Sequence, residues 1–288
     1  MQKLGVAAVI LMAIGTLGGI GQTVLLWQSY SDLKRIVFGL SSEEEVLDWA
    51  DSLNRAGPLL NLGTLIMFAG AIVFLVWLWQ ARETAEALDP DPQLQPGQAI
   101  YQRPRGVHRL DQGWVIGSWF CPIVQFWYPL RIVQDVDTGS RPKGEITPAR
   151  DRGIIYTWWT SWCVYWVISI GGMLAAFATF LVWIVQFVED VERAEAANED
   201  LDIYGMQDFL LRFVLVVFIA ATIAMVGYVI ALVTISILIF QISGRLDQRL
   251  RTAAAPPPPY LPPAPQQQPF PTYGGPTQQQ SPYRPFDR

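Results

Sequence analysis

Histidine occurs once in this chain, at His108, and cysteine twice, at Cys121 and Cys163. That inventory is too thin for an ordinary zinc site, which takes three or four such ligands. Both cysteines lie inside apolar stretches, so they read as free thiols packing like small hydrophobes rather than as a disulfide framework. No G-x-G-x-x-G turn, no G-x-x-x-x-G-K-[ST] loop and no H-E-x-x-H helix occurs, which removes the usual signatures of dinucleotide, phosphate and metalloprotease chemistry. Charge is scarce as well. Asp, Glu, Lys and Arg make up 16% of the 288 residues, against about 25% in a soluble globular protein. The net charge of −5 comes from local acidic clusters, so there is no nucleic-acid footprint.

What the chain has instead is long uncharged stretches, the pattern of a polypeptide whose solvent is lipid. Four of them are long enough to cross a bilayer: about 4–27, 59–79, 154–188 and 209–242. The first is too long for the apolar core of a cleavable signal, about 7 to 15 residues, and no small-residue cleavage site follows it. It therefore reads as a retained span. The second follows Gly57-Pro58, runs on through Gln80–Leu88, and should stop at Asp89-Pro90-Asp91-Pro92. Gly15 and Gly19 form a G-x-x-x-G step that could admit a neighbouring helix, although glycines merely tolerated in an apolar helix are the plainer expectation. Ile154–Val188 is about 52 Å of helix against a hydrocarbon layer of about 30 Å. It must tilt, project from the bilayer or break at Gly171-Gly172. Its first half carries Trp158, Trp159, Trp162, Tyr165 and Trp166, too many for an interfacial belt alone.

The ambiguous stretch is Gly113–Leu130, eighteen uncharged residues containing Pro122, Pro129 and six aromatic side chains. Two prolines remove backbone donors that lipid cannot replace. The distribution of Lys and Arg bears on the same question, because cytoplasmic loops are enriched in them. If the stretch is re-entrant or interfacial, thirteen basic residues fall on the cytoplasmic side and four outside. If it spans, the better orientation gives eleven and six. The expected fold is therefore an all-α integral membrane protein with four transmembrane helices and one aromatic re-entrant or interfacial segment at 113–130, both termini being cytoplasmic. The aromatic half of the long third span should cover that segment. Within it, Trp119, Pro122, Gln125, Trp127, Pro129 and Arg131 are the candidate site residues. Gln125 and Arg131 could contact a lipid headgroup or a partner's backbone. The favoured reading is structural, with Gln125 satisfying carbonyls freed by the prolines and Arg131 marking the cytoplasmic face.

Two further features have plain expectations. His108, next to Arg109, reads as part of a solvated linker at the membrane surface rather than an acid–base pair. Glu43-Glu44-Glu45 reads as a solvated face rather than a cation site. The spans hold almost no ionisable groups, which argues against an ion-driven pump, since such proteins need intramembrane charges. After Arg251 the composition changes: 253–288 contains 12 of the 21 prolines and two Gln-Gln-Gln runs. Such a tail cannot bury enough apolar area to become ordered. Pro257, Pro258 and Tyr260 fall in a P-P-x-Y sequence, a form read by aromatic-lined grooves, and are the candidate docking residues for a cytoplasmic partner.

From Trp79 onward the chain resembles a family of actinobacterial membrane proteins catalogued as domain of unknown function 4328. The resemblance is carried by Trp79-Gln80-Ala81-Arg82, by His108-Arg109-Leu110-Asp111-Gln112-Gly113-Trp114, and above all by Trp119-Phe120-Cys121-Pro122-Ile123-Val124-Gln125-Phe126-Trp127-Tyr128-Pro129-Leu130-Arg131. The family pattern usually has asparagine where this chain has Gln125. The resemblance implies a bacterial integral membrane protein of the cell membrane and brings no activity, catalytic residue, cofactor or metal with it. The function expected from the sequence is that of a non-enzymatic scaffold or interaction protein, contacting membrane lipids, recruiting a partner through its tail and free to form a homo-oligomer. The alternative is a small channel or lipid-handling protein that uses 113–130.

Overall fold

The computed structural model of the chain describes residues 1–88, 108–197 and 203–255. Met1–Ala253 form one compact unit, and Ala254–Arg288 a second that lies almost wholly outside the described residues. The expectations for the proline-rich tail, including Pro257, Pro258 and Tyr260, and for most of the linker after Leu88 therefore fall outside the described residues.

Among the described residues of the first unit every element is helical. The order is α1 (Gln2–Val37), α2 (Glu43–Leu88), α3 (Trp114–Gly117), a 3₁₀ turn (Val124–Phe126), α4 (Tyr128–Gly139), α5 (Ala149–Trp166), a π-turn (Val167–Gly171), α6 (Gly172–Ala197) and α7 (Ile203–Ala254). Four helical stretches are long and apolar enough to cross a membrane: Gln2–Val37, Asn61–Leu88, Ala149–Ala197 and Ile203–Ala254. These are the four expected spans, and Gly113–Leu130 is not a fifth.

The helices outrun their apolar cores, for local reasons. The helix of the second span starts at Glu43, well before Gly57-Pro58, and Pro58 lies inside it. Ser42 and Glu45 make a reciprocal capping pair, the Glu45 amide donating to Ser42 Oγ and the Ser42 amide to Glu45 Oε2. Such a pair satisfies orphan amides at a helix start. Glu43, Glu44 and Glu45 fill the first turn, where negative charge meets the positive end of the helix dipole. At the end of α1, Gly39 takes φ +67°. The Leu40 amide then reaches the Arg35 carbonyl and the Gly39 amide that of Ile36, the closing pattern that glycine permits at lowest cost.

The bundle is held closely by small residues. A Cβ on Gly15 would lie 3.0 Å from Met67 Cβ and 3.1 Å from Met67 Cα, and one on Gly18 would be 3.5 Å from the Gly63 Cα. The glycines of α1 are therefore where α2 seats, not residues merely tolerated, and the plainer expectation is corrected here. Van der Waals contact of this kind replaces the hydrophobic drive that helices lose in lipid. Helix α7 turns one face to the rest of the bundle. Its buried positions Ala224, Gly227, Ala231, Ile235, Leu238, Ile242 and Leu246 recur every three or four residues, the stripe of a helix facing a core. Trp77 Nε1 donates to Ser243 Oγ at 2.9 Å and Trp27 Nε1 to Thr222 Oγ1 at 2.8 Å, tying α2 and α1 to α7.

The long third span does not fold back at its glycines. It stays helical through Gly171-Gly172, with a single π-turn at Val167–Gly171. Helix α5 buries Ile155 and Trp158, whereas no residue of α6 is buried.

Candidate functional site

The segment between Asp111 and Arg131 is a chain of short turns. Trp114–Gly117 makes one helical turn, and backbone bonds continue as far as Phe120. At Pro122 the ladder is interrupted. It resumes with the Gln125 amide on the Cys121 carbonyl at 2.9 Å and the Trp127 amide on Val124 at 3.0 Å. Pro129 occupies the first turn of α4, where its missing N–H is no loss. The prolines thus break a would-be span into an aromatic elbow, and backbone turns, rather than the Gln125 amide, close the gaps. Gln125 is buried, and its side chain makes no hydrogen bond to another described residue. This corrects the structural role expected for it. Arg131 is exposed.

The elbow is covered as expected. The Trp119 ring meets Phe74 of α2 at 5.6 Å and Trp162 of α5 at 5.5 Å, both edge-on, and Phe126 lies 6.1 Å from Trp162. Trp114 packs on Tyr128 at 5.0 Å. Such pairs add about 0.5–1.5 kcal/mol each beyond area burial. The other face is bare. Phe120 and Ile123 are 74% exposed and Trp127 is 55% exposed. Pro122 is exposed beside them, and Pro129 is buried.

What anchors the elbow is a buried ion network that the sequence reading does not contain. Asp137, fully buried on α4, accepts from Arg141 Nε and Nη2 at 3.2 Å and from Arg245 Nη2 of α7 at 2.5 Å. Arg141 also reaches Asp151 of α5, and Arg245 approaches the same carboxylate at 3.6 Å. One turn further along α7, Arg249 donates to the carbonyls of Gly139 and Arg141. The neighbours α4 and α5 are thereby fastened to α7, about a hundred residues further along the chain, at one end of the bundle. The legible signal was the four-residue spacing of Arg245 and Arg249, which puts both on one face of α7, and that of Asp137 and Arg141, which brackets the end of α4.

A second set of charges holds the lead-in to the elbow. Arg82 of α2, nearly buried, pairs with Glu86 at 3.0 Å and donates to the Leu110 and Asp111 carbonyls. The Arg109 amide and Nε both donate to Asp135 of α4. His108 sits between these groups and is buried, 8% exposed, which overturns the solvated-linker expectation. A Cβ on Gly139 would lie 3.2 Å from Ala85 Cβ and 3.5 Å from His108 Nε2, so α4 packs flat on this corner. Burial, followed by the Arg82 guanidinium, pushes the His108 pKa below its ordinary value, and Glu86 and Asp135 pull the other way. Among the described residues no group of three or more His, Cys, Asp or Glu side chains is placed to hold a metal ion.

The elbow reaches well into the bundle. Trp162 lies eleven residues beyond Asp151 on one helix, about 16 Å at 1.5 Å per residue. That is close to half of a hydrocarbon layer of roughly 30 Å. The segments quoted above for the family resemblance, around Arg82, His108–Gly113 and Trp119–Arg131, are the ones the structure brings together here.

The comparisons agree with this grouping. Residues 39–180, from just before α2 to the middle of α6, match the model of a family described as domain of unknown function DUF4328. No curated protein and no solved structure matches the chain. The matched segment holds the elbow with Arg82, Arg109 and Arg141, while Arg245 and Arg249 lie beyond it; over residues 39–180 the chain is similar to the DUF4328 family.

Proposed function

We propose that this protein is a non-enzymatic membrane scaffold in a bacterial plasma membrane, with both ends of the chain cytoplasmic and the elbow as its fixed contact surface. The observation that carries the reading is how the charges at this end are used. Asp137, Arg141, Asp151, Arg245 and Arg249 bond to one another and to backbone carbonyls, and so hold a shape. What the end offers outward is apolar: Phe120, Ile123 and Trp127, with Arg131 exposed beside them. An apolar patch rimmed by positive charge suits a membrane surface or a protein partner seated on it. The excess of Lys and Arg in the loops at this end supports a cytoplasmic orientation. The proline-rich tail, with Pro257, Pro258 and Tyr260, would supply a second, linear attachment for a cytoplasmic partner.

The test is a crosslinked pull-down from native membranes that compares the full chain, a chain ending at Arg251 and a Phe120→Ser/Ile123→Ser/Trp127→Ser variant. Partners lost from either altered chain would support the scaffold. An identical partner set from all three would remove it.

A lipid-handling role for the elbow is the second reading, favoured by the depth of Trp119 and Phe126 against Trp162. Protein reconstituted in vesicles that neither moves nor selectively retains any lipid would count against it.

A further inference from the structure

Away from the charged end, the four spans do not close on one another. A cleft of about 330 Å³ lies between α1, α2, the α5 π-turn and α7. Glycines create it: Gly15, Gly18 and Gly19 of α1 and Gly63 of α2 line one side. Its depth follows from helical rise. Tyr165 is fourteen residues beyond Asp151, Met67 fifteen before Arg82 and Tyr228 seventeen before Arg245, which is about 21 to 26 Å along all three helices. The cleft therefore occupies the half of the bilayer opposite the charged network and the elbow.

Its lining is mixed, with polar groups set among apolar ones and no charge. Thr16, Gln22, Thr23, Tyr165, Ser169 and Tyr228 all face it. Thr16 donates its hydroxyl proton to the Met12 carbonyl at 2.7 Å and Thr23 to Gly19 at 3.0 Å. Thr16 is also hydrogen-bonded with the Tyr228 side chain, so of the two it is Thr23 that keeps oxygen lone pairs for a ligand. Ser169 sits within the π-turn, the kind of helix irregularity that often marks a functional site. Tyr165 and Tyr228 pack ring on ring at 5.0 Å as one wall. At the mouth Gln22 is exposed.

The cleft is blind. Between it and the charged end lie Ala8, Phe74, Trp77, Ile235, Leu238 and Ile239, all buried. A Cβ on Gly5 would come within 2.7 Å of Ile239 Cγ2. A dead-ended cavity suits a bound ligand and not a through-channel. With no lining carboxylate, lysine or arginine, a charged ligand would lose its hydration without a partner, which is costly. The volume is at the low end for ligand pockets, enough for a small head and the first part of a chain.

We propose that this cleft binds the head of an uncharged, hydroxyl-bearing lipid, such as a monoacylglycerol, with its chain left among the bilayer lipids. The proposal does not depend on the reading of the elbow.

The test is photocrosslinking of full-length protein in phosphatidylcholine vesicles containing a diazirine-bearing monoacylglycerol, followed by peptide mapping. Labelling should concentrate within 15–26 and 221–228. Unlabelled monoacylglycerol should displace it, while phosphatidylglycerol or an alkane of the same chain length should not. Ser169→Ala and Tyr228→Phe should each weaken displacement by about three- to tenfold, the loss expected for one hydrogen bond. Gly19→Leu, whose side chain would meet Met225 across the cleft, should abolish the focused labelling. Gly21→Leu, with open space around it, should not, which separates occlusion from misfolding. Labelling spread evenly over the lipid-facing helices, or displaced equally by phosphatidylglycerol, would overturn the proposal.

Discussion

Replacing Asp137 by asparagine should be the most damaging single change in the described part of the chain. The wild-type cluster sets two buried or nearly buried carboxylates, Asp137 and Asp151, and the half-exposed Glu145 against two guanidiniums, Arg141 and Arg245. Asp137 and Arg141 are almost wholly inaccessible, and Arg245 is 22% exposed. Asparagine keeps the size but removes the charge at the buried centre, leaving Arg141 and Arg245 to share Asp151, with Glu145 only at the exposed edge of Arg141. Each close contact is worth on the order of 4 kcal/mol gross at an effective dielectric of about 20. The desolvation already spent in burying the arginines is not returned. Removing one partner from a buried pair typically costs about 3–5 kcal/mol, which for a chain of this size lowers Tm by roughly 6–20 °C. Thermal unfolding of detergent-purified protein, followed through the reactivity of Cys121 and Cys163 toward a fluorogenic thiol reagent, reads this directly. Arg245→Met alone should cost less, because Arg141 still neutralises Asp137. The double variant should recover part of the loss, with a coupling of about 1–3 kcal/mol. An Asp137→Asn protein melting within 2 °C of wild type, or strictly additive losses, would refute the view that this network fastens the elbow.

Gly15→Val should separate α1 from α2, because its Cβ has no room against the Met67 backbone. The overpacking cost is about 1–3 kcal/mol, and Gly21→Val, measured in the same melt, should show no comparable loss. For His108 the folded pKa lies below the unfolded one, so the unfolded chain takes up the proton first and stability falls as pH drops below about 6.5. Melting curves between pH 8 and pH 5 should show that decline, and His108→Gln should flatten it. Phe120→Lys should draw the elbow out of the bilayer. A dye on Phe120→Cys, in a chain lacking the native cysteines, should be quenched by lipid-borne quenchers and not by aqueous iodide; the reverse pattern would show an elbow lying in water. Topology is read by single cysteines at Glu145 and Asn198 in the same background, of which only the second should label from outside.

The spans were legible because the lack of charge over about twenty residues is a property of composition, and no packing detail can override it. The aromatic cover was legible too: Trp158 and Trp162 recur at helical spacing in a stretch too rich in rings for lipid contact alone. The elbow's failure to span followed from Pro122 and Pro129. The anchoring of the elbow was not legible, because it depends on which charged residues meet. Asp137 and Arg245 lie 108 residues apart, and nothing local in either segment names the other. His108 was misjudged for the same reason: a lone histidine among polar neighbours looks solvated until α2 and α4 close over it. The glycines of α1 were ambiguous, since the same spacing serves tolerance and close approach, and only the position of Met67 decides between them.

The π-turn at Val167–Gly171 has a consequence for the rest of its helix. One additional residue in a single turn advances the phase of everything beyond it by about 100°. The row that points α5 inward, Ile155, Trp158 and Trp162, therefore does not continue along α6, which buries no residue and meets α7 through a stacked pair, Trp183 on Phe209. The third span works like a shaft with a keyed coupling: its first half is registered to this molecule's own core, and its second half is aimed independently. Inserting or deleting one residue at that coupling would re-aim the whole of α6 without altering a residue of either half.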